Sequence, residues 1–76
     1  MKDSTYKYVV VSSTFVGVGE LRQSYGVAYV DKKLVPIKCY FDLSSDYMAV
    51  FELVQLCNRY KMSLLHMEDV IEEFLG

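Results

Sequence analysis

Apolar and polar positions divide the 76-residue chain into a first half that favours strands and a second half that favours helices. Tyr6–Phe15 is dense in β-branched and aromatic residues, which is typical of a strand. Gly17 and Gly19 interrupt this run and predict a turn. Two further strands are predicted at about Ser24–Val30 and Leu34–Phe41, and the polar residues between them predict a tight hairpin.

The register of the second hairpin is predicted from the alternation of side chains along its strands. In the third strand the apolar set, which predicts the core face, consists of Val35, Ile37, Cys39 and Phe41. In the second strand the bulky set consists of Tyr25, Val27 and Tyr29. A three-residue loop, Asp31-Lys32-Lys33, places these sets on one face, whereas a two-residue loop would bring Gly26 and Ala28 opposite the core set. We favour the three-residue loop. Pro36 predicts that the third strand is an edge strand, with the second strand in the middle.

The first helix is predicted over about Asp46–Tyr60. Ser44 or Ser45 is expected to cap it, and Asp46 suits the positive end of its dipole. Its apolar residues form two adjacent stripes: Tyr47, Val50, Phe51, Val54 and Cys57, and beside them Ala49, Leu53, Leu56 and Tyr60. An apolar arc this wide predicts a helix that is covered both by the sheet and by the second helix or a second subunit.

The second helix is predicted over about Leu64–Leu75, with Ser63 as its cap. Its apolar residues recur at helical spacing: Leu64, Met67, Val70, Ile71 and Phe74. The whole pattern predicts one small α+β domain over residues 1–76. In this fold, a three-stranded antiparallel sheet is followed by two helices packed on one of its faces.

Composition and charge narrow the classes of partner. Apolar residues make up 53% of the chain, which is a high share for so small an interior, so we expect a homo-oligomer, most simply a dimer. The net charge of −2 lacks the basic surplus of nucleic-acid binders, so no nucleic acid is expected as a partner. No apolar run approaches the roughly 20 residues of a membrane span, and no secretory signal is visible, which predicts a cytoplasmic protein without a membrane partner.

Motifs for phosphate or metal binding are incomplete. Gly17-Val18-Gly19 is a fragment of a dinucleotide-binding loop, with Arg22 where the third glycine would stand. Cys39, Cys57 and His66 lack the close spacing of zinc ligands, and two cysteines do not make a disulfide framework. We therefore predict no cofactor and no metal.

A catalytic interpretation rests on Cys57 as a nucleophile and His66 as its base, with Asp69 or Asn58 orienting the ring. The interpretation we favour places Cys57 in the core and a neutral His66 near the helix junction, because a buried cysteine is unreactive and a helix N-terminus disfavours an imidazolium. We therefore predict a protein that is not an enzyme. A small Cys/His-based enzyme or redox-sensitive regulator remains the alternative.

Two groups of residues are candidates for contact with a partner protein. Tyrosine suits interfaces because it offers a large contact area and a polar tip. Acidic residues on one side of the last helix can form either a docking face for a basic partner or an ordinary solvated face. The candidates are Tyr6, Tyr8, Tyr25 and Tyr29 on the strands, and Glu68, Asp69, Glu72 and Glu73 on the helix.

The chain also resembles a family of short uncharacterised proteins, a domain of unknown function, from spore-forming Gram-positive bacteria. The segments that carry the resemblance are Tyr25-Gly26-Val27, Asp42-Leu43-Ser44-Ser45-Asp46, Leu53-Val54-Gln55-Leu56-Cys57-Asn58 and His66-Met67-Glu68-Asp69-Val70-Ile71-Glu72-Glu73-Phe74-Leu75. The resemblance implies a bacterial cytoplasmic origin and transfers no catalytic residue.

The function predicted from the sequence is therefore a non-enzymatic interaction domain that self-associates. The second alternative, besides the Cys/His-based enzyme, is a small protein-binding regulator of the phage or toxin–antitoxin type.

Overall fold

The computed structural model describes residues 6–76 and contains three strands followed by two helices. The elements are β1 (Lys7–Gly17), β2 (Glu20–Val30), β3 (Pro36–Ser44), α1 (Tyr47–Arg59) and α2 (Leu64–Leu75). The strands form an antiparallel sheet in the order β1-β2-β3. The predicted α+β fold is confirmed, as are the central position of β2 and the edge position of the proline-containing β3.

The β1–β2 hairpin is longer than predicted. Its register runs unbroken from Lys7 opposite Val30 to Gly17 opposite Glu20, which leaves a two-residue turn at Val18-Gly19. Gly19 has a φ of +81°, a conformation that side chains disfavour, and this explains the glycine in the turn. Because β3 pairs only with residues 25–30 of β2, the outer part of the hairpin, residues 13–24, is a two-stranded ribbon. We call this part the distal hairpin.

The predicted register of β3 is wrong. Val27 pairs with Tyr40 and Ala28 pairs with Cys39, so Tyr40 shares the face of Val27 and Cys39 does not. Ala28 opposes Cys39 of the predicted core set, as in the rejected alternative, but without the two-residue loop on which that alternative depended. Three of the residues predicted for the core are half exposed or more: Val35 at 52%, Ile37 at 50% and Phe41 at 58%.

A β-bulge at the start of β3 explains the reversed faces. The loop spans residues 31–35 instead of three residues, and the side chain of Asp31 organises it by accepting hydrogen bonds from the backbone N–H groups of Lys33 (2.8 Å) and Val35 (2.9 Å). The two added loop residues leave the faces unchanged, but the ladder then shifts by one residue between Tyr29 and Val30. This single bulged residue moves the following side chains of β3 to the opposite face, so alternation alone could not give the register.

A second register shift lies at Gly26. Across β2 and β3, Val27 pairs with Tyr40 and Tyr25 pairs with Ser44, so two extra residues of β3 bulge opposite Gly26. A Cβ atom at Gly26 would collide with the carbonyl oxygen of Tyr40, which the bulge brings over the glycine. Gly26 therefore permits a close backbone approach that no other residue would allow.

The bulge is held by polar contacts on its outer side. Asp42, at the bulge, has a φ of +59°. Its carboxylate accepts hydrogen bonds from the Ser24 hydroxyl at 2.6 Å and from the Arg22 guanidinium at 3.2 Å. These bonds, that of Ser24 first and then that of Arg22, lower the pKa of Asp42. Ser24 is fully buried although it is polar, and its bond to Asp42 satisfies it.

Helix α1 begins one residue later than predicted and has a different cap. Asp46 is the N-cap, and its carboxylate accepts from the N–H groups of Met48 (3.1 Å) and Ala49 (3.4 Å). The prediction of Ser44 or Ser45 as the cap is wrong. Instead, the Ser44 hydroxyl accepts from the N–H of Asp46 and positions the capping residue. Ser63 is the N-cap residue of α2 as predicted, but its side chain makes no capping bond.

The core lies between one face of the sheet and the two helices. Its buried members are Tyr8, Val27, Val50, Leu53, Val54, Cys57, Met67 and Ile71. Of the second predicted stripe of α1, Leu53 is buried, whereas Leu56 and Tyr60 are 49% and 66% exposed. Within residues 6–76, therefore, the apolar arc of α1 is only partly covered.

Candidate functional site

The catalytic candidates Cys57 and His66 have different surroundings. Cys57 is fully buried, and its Sγ lies 3.6 Å from the Sδ of Met67. Burial raises the pKa of the Cys57 thiol, which disfavours the nucleophilic thiolate. His66 is exposed, and its Nδ1 lies 3.0 Å from the Ser63 hydroxyl. No hydrogen bond joins Cys57 to His66 in the described part of the chain, so the geometry does not favour a nucleophile–base pair.

Asp69, the third catalytic candidate, is exposed on α2 and lines a shallow depression with Glu72, Glu73 and Gly76. The depression is open to solvent, and the three side chains that line it are carboxylates. Over residues 6–76, no group of three or more His, Cys, Asp or Glu side chains is arranged to hold a metal ion. The fourth acidic candidate, Glu68, is also exposed, and its charge is the second cause, after burial, of the raised pKa of Tyr40.

Asn58 makes a contact that sequence patterns did not reveal. The backbone N–H of Tyr8 donates to Asn58 Oδ1 at 2.8 Å, and Asn58 Nδ2 donates back to the carbonyl oxygen of Tyr8 at 2.9 Å. The amide of Asn58 therefore pairs with β1 as a neighbouring strand would. The catalytic interpretation gave Asn58 a possible role in orienting His66, but nothing in the sequence indicated that Asn58 bonds to the backbone of β1.

Tyr8 makes a second contact between β1 and the helical half of the chain. Its hydroxyl donates to the carbonyl oxygen of Met62 at 2.6 Å, just after α1. Burial, and to a smaller extent the neighbouring Tyr29, raises the pKa of Tyr8 to about 12. Tyr8 is only 3% exposed, so it is a core residue and offers no contact surface to a partner, in contrast to its predicted place among the interaction residues.

The other tyrosines predicted to contact a partner are partly exposed. Tyr6 stacks on Tyr29 with ring centroids 5.6 Å apart, and these two rings and Tyr8 line a cleft of about 370 Å³ together with Asn58 and Lys61. Tyr25 lies on the helix side of the sheet and meets Tyr47 edge to face at 5.3 Å. The cleft is open, and Lys7, Cys57 and Met62 also line it.

The outer edge of β1 is the second candidate surface. Both backbone groups of Tyr8 bond to Asn58 and so point away from β2. Alternate residues of an antiparallel strand share this direction, so Val10, Ser12, Thr14 and Val16 also point their N–H and C=O groups outward. Within residues 6–76 no hydrogen bond reaches these outward backbone groups. The edge is therefore available for strand pairing from Val10 to Val16.

The sheet face opposite the helices adjoins this edge. We call it the open face, because both described helices pack on the other side. Cross-strand pairing places Val9, Val11, Phe15, Ala28 and Cys39 on it. These side chains are apolar, although Ala28 is only 2% exposed. Charged groups share the face towards its ends: Lys7 at one end and, at the other, Arg22, which lies over the Phe15 ring at 4.5 Å. The middle of the open face is thus apolar and continuous with the β1 edge.

Taken together, the fold defines a small α+β domain: an antiparallel three-stranded meander that carries two helices on one face. None of the described helices has the length and hydropathy that a membrane span requires. The chain belongs to a family of unknown function, DUF6514, whose profile matches residues 1–76. This membership confirms the predicted resemblance to a domain of unknown function. Searches against curated proteins and against solved structures find no match.

Proposed function

We propose that the protein is a non-enzymatic interaction domain that self-associates as a homodimer. The observation that supports this proposal is the distribution of large apolar side chains. Among residues 6–76, fifteen large apolar side chains are between 37% and 103% exposed, whereas ten hydrophobic residues are buried. Single exposed apolar residues are ordinary, but a small domain that exposes more of them than it buries gains stability by covering them.

The exposed side chains are dense on the distal hairpin. Phe15, Val16, Val18 and Leu21 lie within seven consecutive positions around its turn and are 37%, 78%, 103% and 72% exposed. A two-stranded ribbon has no second layer that could bury them, and an isolated hairpin is only marginally stable. The distal hairpin is therefore the part of the molecule that gains most from a partner.

A second copy is a suitable partner on grounds of charge. The segment from Tyr8 to Gly17 contains no charged residue, so two copies can bring their β1 strands together without like charges facing each other. The overall charge of −2 is also too small to oppose association strongly. Self-association through one shared surface gives a closed dimer with two-fold symmetry.

Sedimentation equilibrium tests the proposal. The mass is expected to rise from 8.8 kDa towards twice that value as the concentration increases from low to high micromolar. Two matched variants locate the surface, because both remove a leucine side chain that is mostly exposed: Leu21→Ser on the hairpin (72%) and Leu65→Ser on α2 (89%). Leu21→Ser is expected to weaken the dimer about tenfold, and Leu65→Ser to leave it unchanged. A monomer at every concentration would refute self-association.

The remaining parts of the proposal rest on the cysteines and the resemblance. Cys39 and Cys57 are both free, which fits a reducing compartment, and we place the protein in the cytoplasm of a spore-forming Gram-positive bacterium. The absence of an enzymatic role is supported by the buried Cys57 thiol, which has a raised pKa. A regulator that binds a different protein would give a monomer in sedimentation and a complex only with that partner.

A further inference from the structure

The two edges of the sheet differ in their protection against strand pairing. The β3 edge begins with Pro36, carries Lys38, contains two register shifts and bulges at Asp42. Proline, lysine and bulges are the usual devices that prevent an edge from pairing with another strand. β1 pairs with β2 over eleven residues without a register shift, and it has no proline and no charge after Lys7. Only one of the two edges is therefore open to a further strand.

Asn58 limits this open edge at one end. Its amide occupies the outward N–H and C=O groups of Tyr8, so a pairing strand can begin only beyond that residue. At the other end the strand finishes at Gly17, before the turn. The outward groups that remain belong to Val10, Ser12, Thr14 and Val16. These residues define a short segment that begins and ends with a valine.

From this geometry we infer that the β1 strands of two copies pair antiparallel, in a register centred on Ser13, to form one continuous six-stranded sheet. The inference rests on the proposed self-association and specifies its interface. A two-fold axis at Ser13 pairs Val10 with Val16 of the second copy and Ser12 with Thr14 of the second copy. All four outward residues then have a partner, with about eight hydrogen bonds between the copies.

Other registers use the edge less well. A centre at Ser12 would oppose Tyr8 to Val16 of the second copy, but the backbone groups of Tyr8 are already bonded to Asn58. A centre at Thr14 would oppose Val10 to residue 18 of the second copy, which lies in the turn. The register at Ser13 therefore satisfies the most backbone groups without displacing an existing bond.

The same register also matches side chains on the open face. It brings Val11 opposite Phe15 of the second copy, and a β-branched residue opposite an aromatic one is a favourable cross-strand pair. It also adds a third strand to the distal hairpin, which would otherwise remain a two-stranded ribbon. The two-fold axis lies perpendicular to the sheet, so the helices of both copies stand on the same side.

Hydrogen exchange followed by NMR on the unmodified protein tests the interface directly. The amide protons of Val10, Ser12 and Thr14 point away from β2 and should exchange rapidly in a monomer. In the edge-paired dimer they are expected to exchange at least about tenfold more slowly, and only at concentrations where sedimentation shows a dimer. The amides of Val9, Val11 and Ser13 are internal controls, because they bond to β2 in either state.

A cysteine cross-link tests the register. At the two-fold axis the two Ser13 residues form a non-hydrogen-bonded pair with Cα atoms about 4.5 Å apart, which is within the range of a disulfide. In a Cys39→Ser background, Ser13→Cys is expected to form a dimer under mild oxidation that reductant reverses. Val16→Cys is the matched control on the same strand. Its two copies would lie about 20 Å apart and should stay unlinked.

The outcomes separate the interface from the proposed function. Slow edge amides and a Ser13→Cys cross-link together support the inference. A dimer whose Val10, Ser12 and Thr14 amides exchange rapidly would overturn edge pairing but leave self-association standing. Slow edge amides with efficient cross-linking at Val16→Cys and none at Ser13→Cys would overturn the register. A protein that is monomeric throughout would overturn both proposals.

Discussion

Replacing Asn58 by alanine tests how β1 is attached to the helical layer. The substitution removes the two hydrogen bonds to the backbone of Tyr8, at 2.8 and 2.9 Å. Each such bond contributes about 0.5–1.5 kcal/mol net, and more where the partner group stays buried. Tyr8 is 3% exposed, so water reaches its freed backbone groups poorly. Alanine regains about 0.5 kcal/mol of helix propensity.

The net loss expected for Asn58→Ala is therefore about 1.5 kcal/mol. A domain of 76 residues has a free energy of unfolding of about 4–11 kcal/mol, so this loss is a large share of the total. It corresponds to a decrease in Tm of about 6–12 °C. Urea and thermal unfolding followed by circular dichroism measure it, at a concentration low enough to keep both proteins monomeric.

Two further variants identify the cause. Gln55→Ala removes an exposed amide side chain from the same helix and is expected to change stability by less than about 0.5 kcal/mol. Asn58→Asp can still accept from the Tyr8 N–H but sets a carboxylate against the Tyr8 carbonyl. Its deficit should shrink as pH falls through about 4, because the protonated acid can donate again. An Asn58→Ala protein as stable as the wild type would refute the proposed strand-like role of this amide.

Three other substitutions test the core and the bulge. The free energy of unfolding of wild type should exceed that of Tyr8→Phe by a constant amount below pH 10, and the difference should decline towards pH 12. The reason is that the pKa of Tyr8 rises from 10.0 to about 12 on folding, so the folded state resists ionisation. A pH-independent difference in urea unfolding would contradict this. Gly26→Ala should lose about 3 kcal/mol or more, since the added Cβ collides with the Tyr40 carbonyl, and unchanged urea unfolding would contradict it. In a Cys39→Ser protein, Cys57 should react with a thiol reagent only after unfolding, and rapid labelling of the native protein would revive the catalytic alternative.

The sequence predicted the elements better than their contacts. Hydrophobic periodicity placed α2 correctly and α1 to within a residue at each end, because the spacing of apolar residues along the chain is enough to identify an amphipathic helix. The same local reasoning failed for the cap of α1. Asp46 and two serines were all plausible caps, and only the backbone geometry at Asp46, with φ −94° and ψ 105°, selects among them.

The candidate interaction surface, too, could be predicted from the sequence only in part. The excess of apolar residues predicted an interaction domain without locating its surface, whereas the fold shows which residues the helices leave uncovered. Tyr8 illustrates the limit. As a tyrosine on a strand it was a candidate for partner contact, but its side chain lies under the helices. The hydrogen bonds of its backbone to Asn58 show which backbone groups of β1 point away from β2.

By itself, then, the sequence determined the number, type and order of the strands and helices, the central place of β2 and the absence of a spaced ligand motif. All of these depend on residues close together in the chain. Only the tertiary structure decided the register of β3, the burial of Tyr8 and the contact of Asn58 with β1. The physical reason is that a one-residue bulge reverses every later side chain, and that a contact across fifty residues leaves no trace in local spacing.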